Sequence, residues 1–369
     1  MADMMKALVV RPGKKVGIEE IPKPQLKSPD DAIVRTTCAC VCSSDCNAAF
    51  SGFLEELGLV NRALGHEALG IVEEVGENVK LFKPGDRVLV GTVTPCWKCD
   101  ACMSGHPEHC QEMGGIFPDG KGMEMGKGMK FINFKDGNMA EYFHVNNADS
   151  NMALIPDSIP DEVAIHASET MEVGYAAAAN GNIPLGGVVA VFAQGPIGLM
   201  ATAMAKNAGA GLLIAVESDP HRQQLAKEFG ADIVVDFSKV DAVEEILKIT
   251  KGAGVDTAIE ALGNNATLDS CVKVTKPGGT ISIGGWFIHG DTIVIPRAEY
   301  GNGISNKTII GSFVPGGRLV LERVLRMIET GRIDPSKLTS HVFDFKDAEK
   351  AFDLMYKKTD NVIKPVIKF

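Results

Sequence analysis

Three residues near the start of the chain have side chains that together could hold a reactive metal ion. Cys42 follows an apolar stretch, and His66 and Glu67 are adjacent to each other. A thiolate, an imidazole and a carboxylate suit zinc, and a zinc site with three protein ligands and one open position is catalytic. Each residue alone also has an ordinary explanation, because a lone cysteine is usually a small buried hydrophobe. The zinc interpretation therefore depends on the rest of the chain.

A second group of possible metal ligands consists of four cysteines with the spacing C-x2-C-x2-C-x7-C. They are Cys96, Cys99, Cys102 and Cys110. Four thiolates can close a tetrahedral zinc site that has no open position, so this spacing predicts a structural zinc. The other cysteines apart from Cys42 are interpreted as packing residues.

A damaged dinucleotide fingerprint lies where a predicted strand turns into a helix. The segment from Ala193 to Gly198 reads A-Q-G-P-I-G, which is G-x-G-x-x-G with alanine in the first position. Its backbone N–H groups and helix dipole can hold a pyrophosphate, so we predict that Gly195, Pro196, Ile197 and Gly198 bind the cofactor. The alanine should alter the turn without loss of binding.

Glu217 ends the next predicted strand, nineteen residues after Gly198. An acidic residue there accepts hydrogen bonds from the ribose hydroxyls of NAD and repels the 2′-phosphate of NADP. The alternative is a solvated carboxylate at the end of a strand. Arg222 lies nearby and could accept a 2′-phosphate. We predict NAD as the cofactor in preference to NADP.

The elements that must position these groups change character along the chain. Short β-rich runs dominate the first part, at residues 5–10, 31–37, 68–75 and 86–90. From residue 187 onward, predicted strands alternate with predicted helices at 196–207, 221–229, 241–250 and 266–275. This alternation implies right-handed βαβ units and a parallel, doubly wound sheet, which is an α/β fold.

Three further segments complete the prediction from sequence pattern. Helices are expected at 318–330 and 345–357, and an edge strand at 362–367. Residues 114–138 are rich in Gly, Met and Lys without periodicity, and they are interpreted as a surface loop. Met129 in this loop is a candidate substrate-pocket residue.

Composition limits the possible partners. The chain has 369 residues and a net charge of −10, which argues against nucleic acid or an anionic membrane surface as the main partner. No secretory signal and no apolar run long enough to span a bilayer are visible. A reducing cytoplasmic location is expected, in which the nine cysteines are thiols or metal ligands.

Together these motifs resemble the zinc-dependent medium-chain alcohol dehydrogenase family across essentially the whole chain. The resemblance rests on the segments around Cys42, His66 and Glu67, the four cysteines, the fingerprint, and the K-P-G-D-R-V and K-P-G-G turns at 83–88 and 276–279. It implies a GroES-like β-rich catalytic domain at 1–172, split by a Rossmann NAD-binding domain at 173–313 and resumed at 314–369. It also implies a homodimer or homotetramer.

The resemblance assigns metal ligands by position. Cys42 and His66 would bind the catalytic zinc, and Glu67 would be a ligand or a neighbouring carboxylate that exchanges with it. Glu169 lies where members of the family have a Cys, Asp or Glu. The implied cofactors are therefore a catalytic zinc, a structural zinc and NAD.

The resemblance also implies a proton path, from which this chain departs at one position. Ser44 matches the hydroxyl that takes the proton of the alcohol, and Asp45 would orient a zinc ligand. Many members continue the relay to a histidine, but the matching residue here is Asn47, which cannot titrate. The proton must end in water, in the ribose or in another group.

The implied function is zinc- and NAD-dependent interconversion of a secondary alcohol, diol or polyol and a ketone. Residues 130–137 are similar to the bacterial secondary-alcohol branch, whereas the four cysteines and Glu169 are similar to the polyol and butanediol branch. A polyol, butanediol or threonine dehydrogenase is thus an alternative. A nucleotide-binding zinc protein without catalysis is a second alternative, which an assay would separate.

Overall fold

The computed structural model describes residues 3–56, 58–113, 136–287 and 290–369. The chain forms two compact units. The first unit consists of Met1–Glu172 with Val314–Phe369, and the second unit is Val173–Phe313. Met129 and residues 114–135 of the predicted loop lie outside the described residues.

The strands of the described ranges are as follows in chain order: β1 (Met4–Arg11), β2 (Lys15–Pro22), β3 (Ala32–Cys40), β4 (Ala68–Val75), β5 (Arg87–Val90), β6 (Tyr142–Val145), β7 (Met152–Leu154), β8 (Val188–Phe192), β9 (Leu212–Val216), β10 (Ile233–Val235), β11 (Val255–Glu260), β12 (Thr275–Ile283), β13 (Thr308–Gly311), β14 (Thr339–Asp344) and β15 (Lys364–Lys368).

The α-helices of the same ranges are α1 (Ser43–Ser51), α2 (Phe53–Glu56), α3 (Asp100–Met103), α4 (Ala148–Asn151), α5 (Asp161–Ala164), α6 (Thr170–Asn180), α7 (Pro196–Asn207), α8 (Pro220–Glu228), α9 (Ala242–Ile249), α10 (Asn265–Val274), α11 (Arg318–Glu329) and α12 (Ala348–Lys357). None of them has the length and apolar character that crossing a bilayer requires.

The first unit is built on a mixed, mostly antiparallel sheet. Its strand order is β14-β15-β3-β4-β5-β7, and β6 also pairs with β3. One edge of the long β3 pairs with β6 over Ala32–Arg35 and with β15 over Cys38–Cys40. Leu8, Val34, Val72, Phe143 and Ile367 belong to one buried apolar cluster, so strands from both ends of the sequence share a core.

The second unit is a six-stranded parallel sheet in the order β10-β9-β8-β11-β12-β13. Strands β8 and β9 are apolar along their whole length, because helices cover both faces of a parallel sheet. Val189, Val191 and Ile259 are fully buried. This order is that of a doubly wound dinucleotide-binding fold, so the predicted α/β parallel sheet is confirmed.

The predicted edge strand near the C-terminus is wrong. β15 is an interior strand, parallel to β14 and antiparallel to β3. Pro365 indicated an edge, since proline cannot donate to a ladder. The structure accommodates it at an irregularity, because the register of β14 shifts between Thr339 and His341, opposite Lys364 and Pro365. The carbonyl of Pro365 still accepts a hydrogen bond from the N–H of Val41, at 3.0 Å.

The turn after β8 contains a residue in a costly backbone conformation. Ala193 has φ +70°, in the left-handed region that favours glycine. Its N–H donates to the carbonyl of Val216 at 3.0 Å, which holds the turn against the end of β9. The alanine in the first fingerprint position is therefore tolerated with strain.

Replacing Ala193 by glycine should raise the free energy of unfolding by about 0.5–1 kcal/mol. The left-handed conformation costs an alanine about 1–2 kcal/mol, and glycine removes this cost. The greater entropy of glycine in the unfolded chain offsets about 0.4–1 kcal/mol of that gain. Urea unfolding measures the difference. Ala201→Gly in the interior of α7 is the control and should lower stability by about 1 kcal/mol; a loss in both variants would contradict the strain assigned to Ala193.

Candidate active site

Four possible metal ligands from three separate segments meet in the first unit. Cys42 precedes α1, His66 and Glu67 precede β4, and Glu169 precedes α6. One ligand atom from each residue lies within 4.8 Å of those of the other three. Zinc binds sulfur at about 2.3 Å and nitrogen or oxygen at about 2.0–2.2 Å, so ligand atoms this close together need only a small movement to reach a single ion. The spacing of this group therefore suits a single zinc ion.

Carboxylates approach both ring nitrogens of His66. Nδ1 lies 2.9 Å from Oδ1 of Asp45, and Nε2 lies 3.1 Å from Oε2 of Glu169. Burial lowers the pKa of the imidazole, but Asp45 and Glu169 outweigh this and raise it well above its ordinary value. A histidine that binds a metal through one nitrogen commonly donates the other N–H to a carboxylate, which orients the ring. Asp45 has this geometry relative to His66.

Glu67 is a member of the group but has a cationic partner. Oε1 of Glu67 forms an ion pair with Nζ of Lys364, and Oε2 accepts a hydrogen bond from Oγ1 of Thr170 at 3.2 Å. Both charged side chains are buried. Burial lowers the pKa of Lys364, but Glu67 and Cys42 raise it above its ordinary value. Lys364 is thus a buried ammonium beside the possible ligands.

The balance of charge fits a divalent cation. Three carboxyl groups, from Asp45, Glu67 and Glu169, share this buried region with the ammonium of Lys364, and burial raises the pKa of Glu67 to about 7. Burial raises the pKa of Glu169, yet the neighbouring His66 lowers it to about 2, so the group is a carboxylate. Buried charges are stable when they are paired or coordinate metals. The residues present fit zinc in both donor type and charge.

Ser44 lies beside the possible thiolate ligand. Its Oγ donates a hydrogen bond to Sγ of Cys42 at 3.1 Å, and the residue is half-buried in the first turn of α1. Asn47 is half-buried on the same helix. The hydroxyl that the sequence singles out is therefore next to the metal group.

Lys364 and Thr170 are the partners that sequence reasoning missed. A signal for Lys364 did exist, since it is a charged residue within the apolar run V-I-K-P-V-I. Because an edge strand was predicted, the lysine was expected to be solvated, and no charged partner for it was sought. Thr170 has no comparable signal, because a threonine in the first turn of a helix is common.

The four cysteines of the second group also lie together. Their sulfur atoms are within 4.8 Å of one another, and Sγ of Cys99 lies 3.5 Å from Sγ of Cys102. The backbone N–H of Gln111 donates to Sγ of Cys99 at 3.4 Å. Hydrogen bonds from backbone N–H groups lower the pKa of Cys99 to about 6, and the bond from Cys102 has a larger effect than the bond from Gln111. All nine cysteines are free thiols, and this group suits a closed Zn(Cys)4 site.

The fingerprint turn of the second unit has room for a phosphate. Gly195 is the N-cap of α7 and provides no side-chain cap, and a Cβ built on it meets no atom within 4 Å. A Cβ on Gly198 would lie 1.8 Å from the carbonyl oxygen of Ala193, so only glycine fits there. Pro196 and Ile197 begin the helix. An open helix N-terminus binds anions through its backbone N–H groups and dipole, and the turn fits a dinucleotide.

Glu217 is held firmly at the carboxyl end of β9. Its Oε1 accepts hydrogen bonds from the N–H groups of Ser218 (2.8 Å) and Asp219 (3.1 Å), and its Oε2 accepts one from Gln194 (2.9 Å). Asp219 is the N-cap of α8 and accepts from the N–H of Arg222 at 2.9 Å. The structure therefore places two carboxylates at this strand end. Of these two residues, only Glu217 was predicted from the sequence.

Comparisons with known proteins match both units. The model of the alcohol dehydrogenase GroES-like domain matches residues 28–157, and that of the zinc-binding dehydrogenase matches residues 196–330. The NADP-dependent isopropanol dehydrogenase of Thermoanaerobacter brockii is 43% identical over 98% of this chain and 99% of its own length. The sorbitol dehydrogenase of Bacillus subtilis is 33% identical over 76% of this chain and 75% of its own.

A solved structure agrees with the fold. The zinc dependent alcohol dehydrogenase 2 from Streptococcus pneumonia, in its apo form, has a TM-score of 0.85 and 33% identity, over 99% of this chain and 98% of that chain. The chain belongs to the zinc-dependent medium-chain alcohol dehydrogenase family, with a GroES-like domain and a Rossmann-like parallel sheet. It is thus an oxidoreductase of CH–OH donors that uses zinc and a nicotinamide cofactor. The predicted family and fold are confirmed.

Proposed function

We propose that this protein is a zinc- and NAD-dependent dehydrogenase that interconverts secondary alcohols and ketones. Residues 1–172 and 314–369 form the catalytic domain, and residues 173–313 bind NAD. The observation that carries the proposal is the group formed by half-buried Cys42 with buried His66 and Glu169, and with Asp45 on the second nitrogen of His66. We further propose a homodimer or homotetramer in the cytoplasm.

In this proposal three residues hold the catalytic zinc and two others assist. Cys42, His66 and Glu169 are the ligands, and Asp45 fixes the ring of His66 at 2.9 Å. A zinc ion held by these residues would lower the pKa of an alcohol hydroxyl, and a bound nicotinamide would be the acceptor for the hydride. Ser44, beside Cys42, would relay the hydroxyl proton, taking it up while its own hydroxyl proton passes to water or to the ribose.

Glu67 has a different role from the three ligands in this proposal. Its carboxylate is engaged by Lys364 and Thr170, so it acts as a neighbouring carboxylate that can exchange with a ligand. Cys96, Cys99, Cys102 and Cys110 hold a separate structural zinc.

Preference for NAD follows from the acidic end of β9. The carboxylates of Glu217 and Asp219 would face the adenosine ribose, where they bind hydroxyls and repel a 2′-phosphate. The isopropanol dehydrogenase of Thermoanaerobacter brockii is named NADP-dependent, so this chain would differ from that relative in cofactor. Arg222 is the one residue of the proposed site that could favour NADP.

Secondary alcohols are the proposed substrate class because relatives of high identity over nearly the whole chain are isopropanol dehydrogenases. The test is kcat/KM with NAD for propan-2-ol, ethanol, butane-2,3-diol, sorbitol and threonine. Propan-2-ol should exceed ethanol by at least about tenfold, since one added methyl in an apolar pocket is worth about 1–3 kcal/mol. Faster turnover of sorbitol or threonine would overturn the proposed substrate class.

Removing the two acidic charges should weaken discrimination against NADP. The double variant Glu217→Gln, Asp219→Ser should lower the NAD/NADP ratio of kcat/KM by about 100-fold, because a hydrogen bond to a charged group is worth about 1.5–3 kcal/mol. Serine still caps the helix. Steady-state kinetics with both cofactors measures the ratio.

Asp241→Ser provides the matched control for that ratio. Asp241 caps α9 through the N–H of Glu244 at 2.9 Å, as Asp219 caps α8. Asp241→Ser removes one negative charge, against two in the double variant, and should leave the ratio unchanged. A wild-type protein that prefers NADP would refute the role proposed for Glu217.

A further inference from the structure

Thr92 makes two hydrogen bonds that reach two different ligand-bearing loops. It lies two residues after the end of β5 and is fully buried. Its Oγ1 donates to the carbonyl oxygen of His66 at 3.0 Å, and its backbone N–H donates to the carbonyl oxygen of Ser168 at 3.3 Å. Ser168 directly precedes Glu169. One residue therefore connects the main chains that carry two of the proposed metal ligands.

We propose that Thr92 is a positioning residue that fixes the separation of His66 and Glu169. The two ligands are 103 residues apart in sequence, and their side chains meet at 3.1 Å. A metal ion tolerates little error in the placement of its ligands, and groups outside the ligand set maintain that placement. Movement of either loop by an ångström would break one of the two hydrogen bonds of Thr92. This inference rests on the proposed function, in which these residues bind zinc.

The neighbouring Thr94 offers a matched comparison. It is also fully buried in the same segment. Among the described residues, its Oγ1 has no hydrogen-bond partner. Replacing Thr94 by valine removes a buried hydroxyl without loss of a bond to a ligand loop. The two threonines therefore differ in the hydrogen bond from Oγ1 to the loop that carries His66.

The test uses cobalt(II) as the probe in protein depleted of zinc. Absorption spectra report thiolate ligation and coordination geometry, and the spectrum of the Cys42→Ser variant is subtracted to remove the contribution of the four-cysteine group. Thr92→Val should weaken cobalt binding at the Cys42 site by about tenfold and shift its visible bands. Thr92→Ser, which keeps the hydroxyl, should restore binding, and Thr94→Val should match wild type.

The outcomes separate the two proposals. If Thr92→Val binds cobalt with wild-type affinity and bands, the positioning role is wrong while the metal site stands. If wild type and Cys42→Ser give the same spectrum, the metal site itself is wrong. If Thr92→Val does not yield folded protein by circular dichroism, Thr92→Ala is measured against Thr92→Ser with the same expectations.

Discussion

Replacing Cys42 by serine should lower kcat/KM for propan-2-ol by about 1000-fold or more, while the fold is retained. A metal ion stabilises developing charge by several kcal/mol, and about 4 kcal/mol corresponds to 1000-fold in rate. Cys42 is the sulfur donor of the proposed site and precedes α1, where a serine is an acceptable N-cap. Initial rates of NADH formation and a circular dichroism spectrum measure the two effects.

Cys46 is the control for this substitution. It lies on the same helix, is fully buried, and its Sγ donates to the carbonyl of Phe352 at 3.6 Å. Cys46→Ala should keep the wild-type rate within about twofold and cost about 1 kcal/mol of stability, since it loses a small apolar side chain and a weak bond. A Cys42→Ser variant with full activity would refute the ligand role of Cys42.

Replacing Lys364 by methionine should lower the free energy of unfolding by about 3–5 kcal/mol. Methionine has a similar length without charge, so the Glu67 carboxyl, whose pKa burial raises to about 7 even beside Lys364, would lose its ion pair in a buried position. Breaking a buried pair from one side costs this amount, because the remaining charge is desolvated and uncompensated. Urea unfolding of variant and wild type at equal metal content measures the loss.

A second substitution separates charge from packing at this pair. Glu67→Gln combined with Lys364→Met removes both charges and should recover most of the lost stability. Lys307→Met is the control at another buried lysine. The ammonium of Lys307 donates to the backbone carbonyl oxygens of Val272 and Glu299, and not to a carboxylate. It should cost about 1–3 kcal/mol. A Lys364→Met variant within 1 kcal/mol of wild type would disprove the importance of the pair, since breaking a buried pair should cost about 3 kcal/mol or more.

The second unit could be predicted closely from local pattern. The helix at Pro196–Asn207 and the strand at Leu212–Val216 have the predicted bounds. Each βαβ unit is contiguous in sequence, and strands such as β8 and β9 are apolar along their length because both faces are covered. The periodicity of apolar residues and the Gly and Pro residues at turns therefore identify the elements without any knowledge of distant partners.

The first unit was harder to predict because its sheet joins distant parts of the chain. β15 pairs with β3 across more than three hundred residues, and no local pattern reports this. Pro365 indicated an edge strand, whereas the register shift accommodates it in the interior and Glu67 pairs with Lys364 there. The candidate ligands were found from residue type and motif, but their partners depend on this long-range pairing.

The zinc content of purified, active wild-type protein tests the central claim most directly. Inductively coupled plasma mass spectrometry gives the number of zinc ions per chain. The proposed sites at Cys42, His66 and Glu169 and at the four cysteines predict two. Protein that oxidises propan-2-ol at its full rate with no zinc bound would contradict the proposed catalytic zinc.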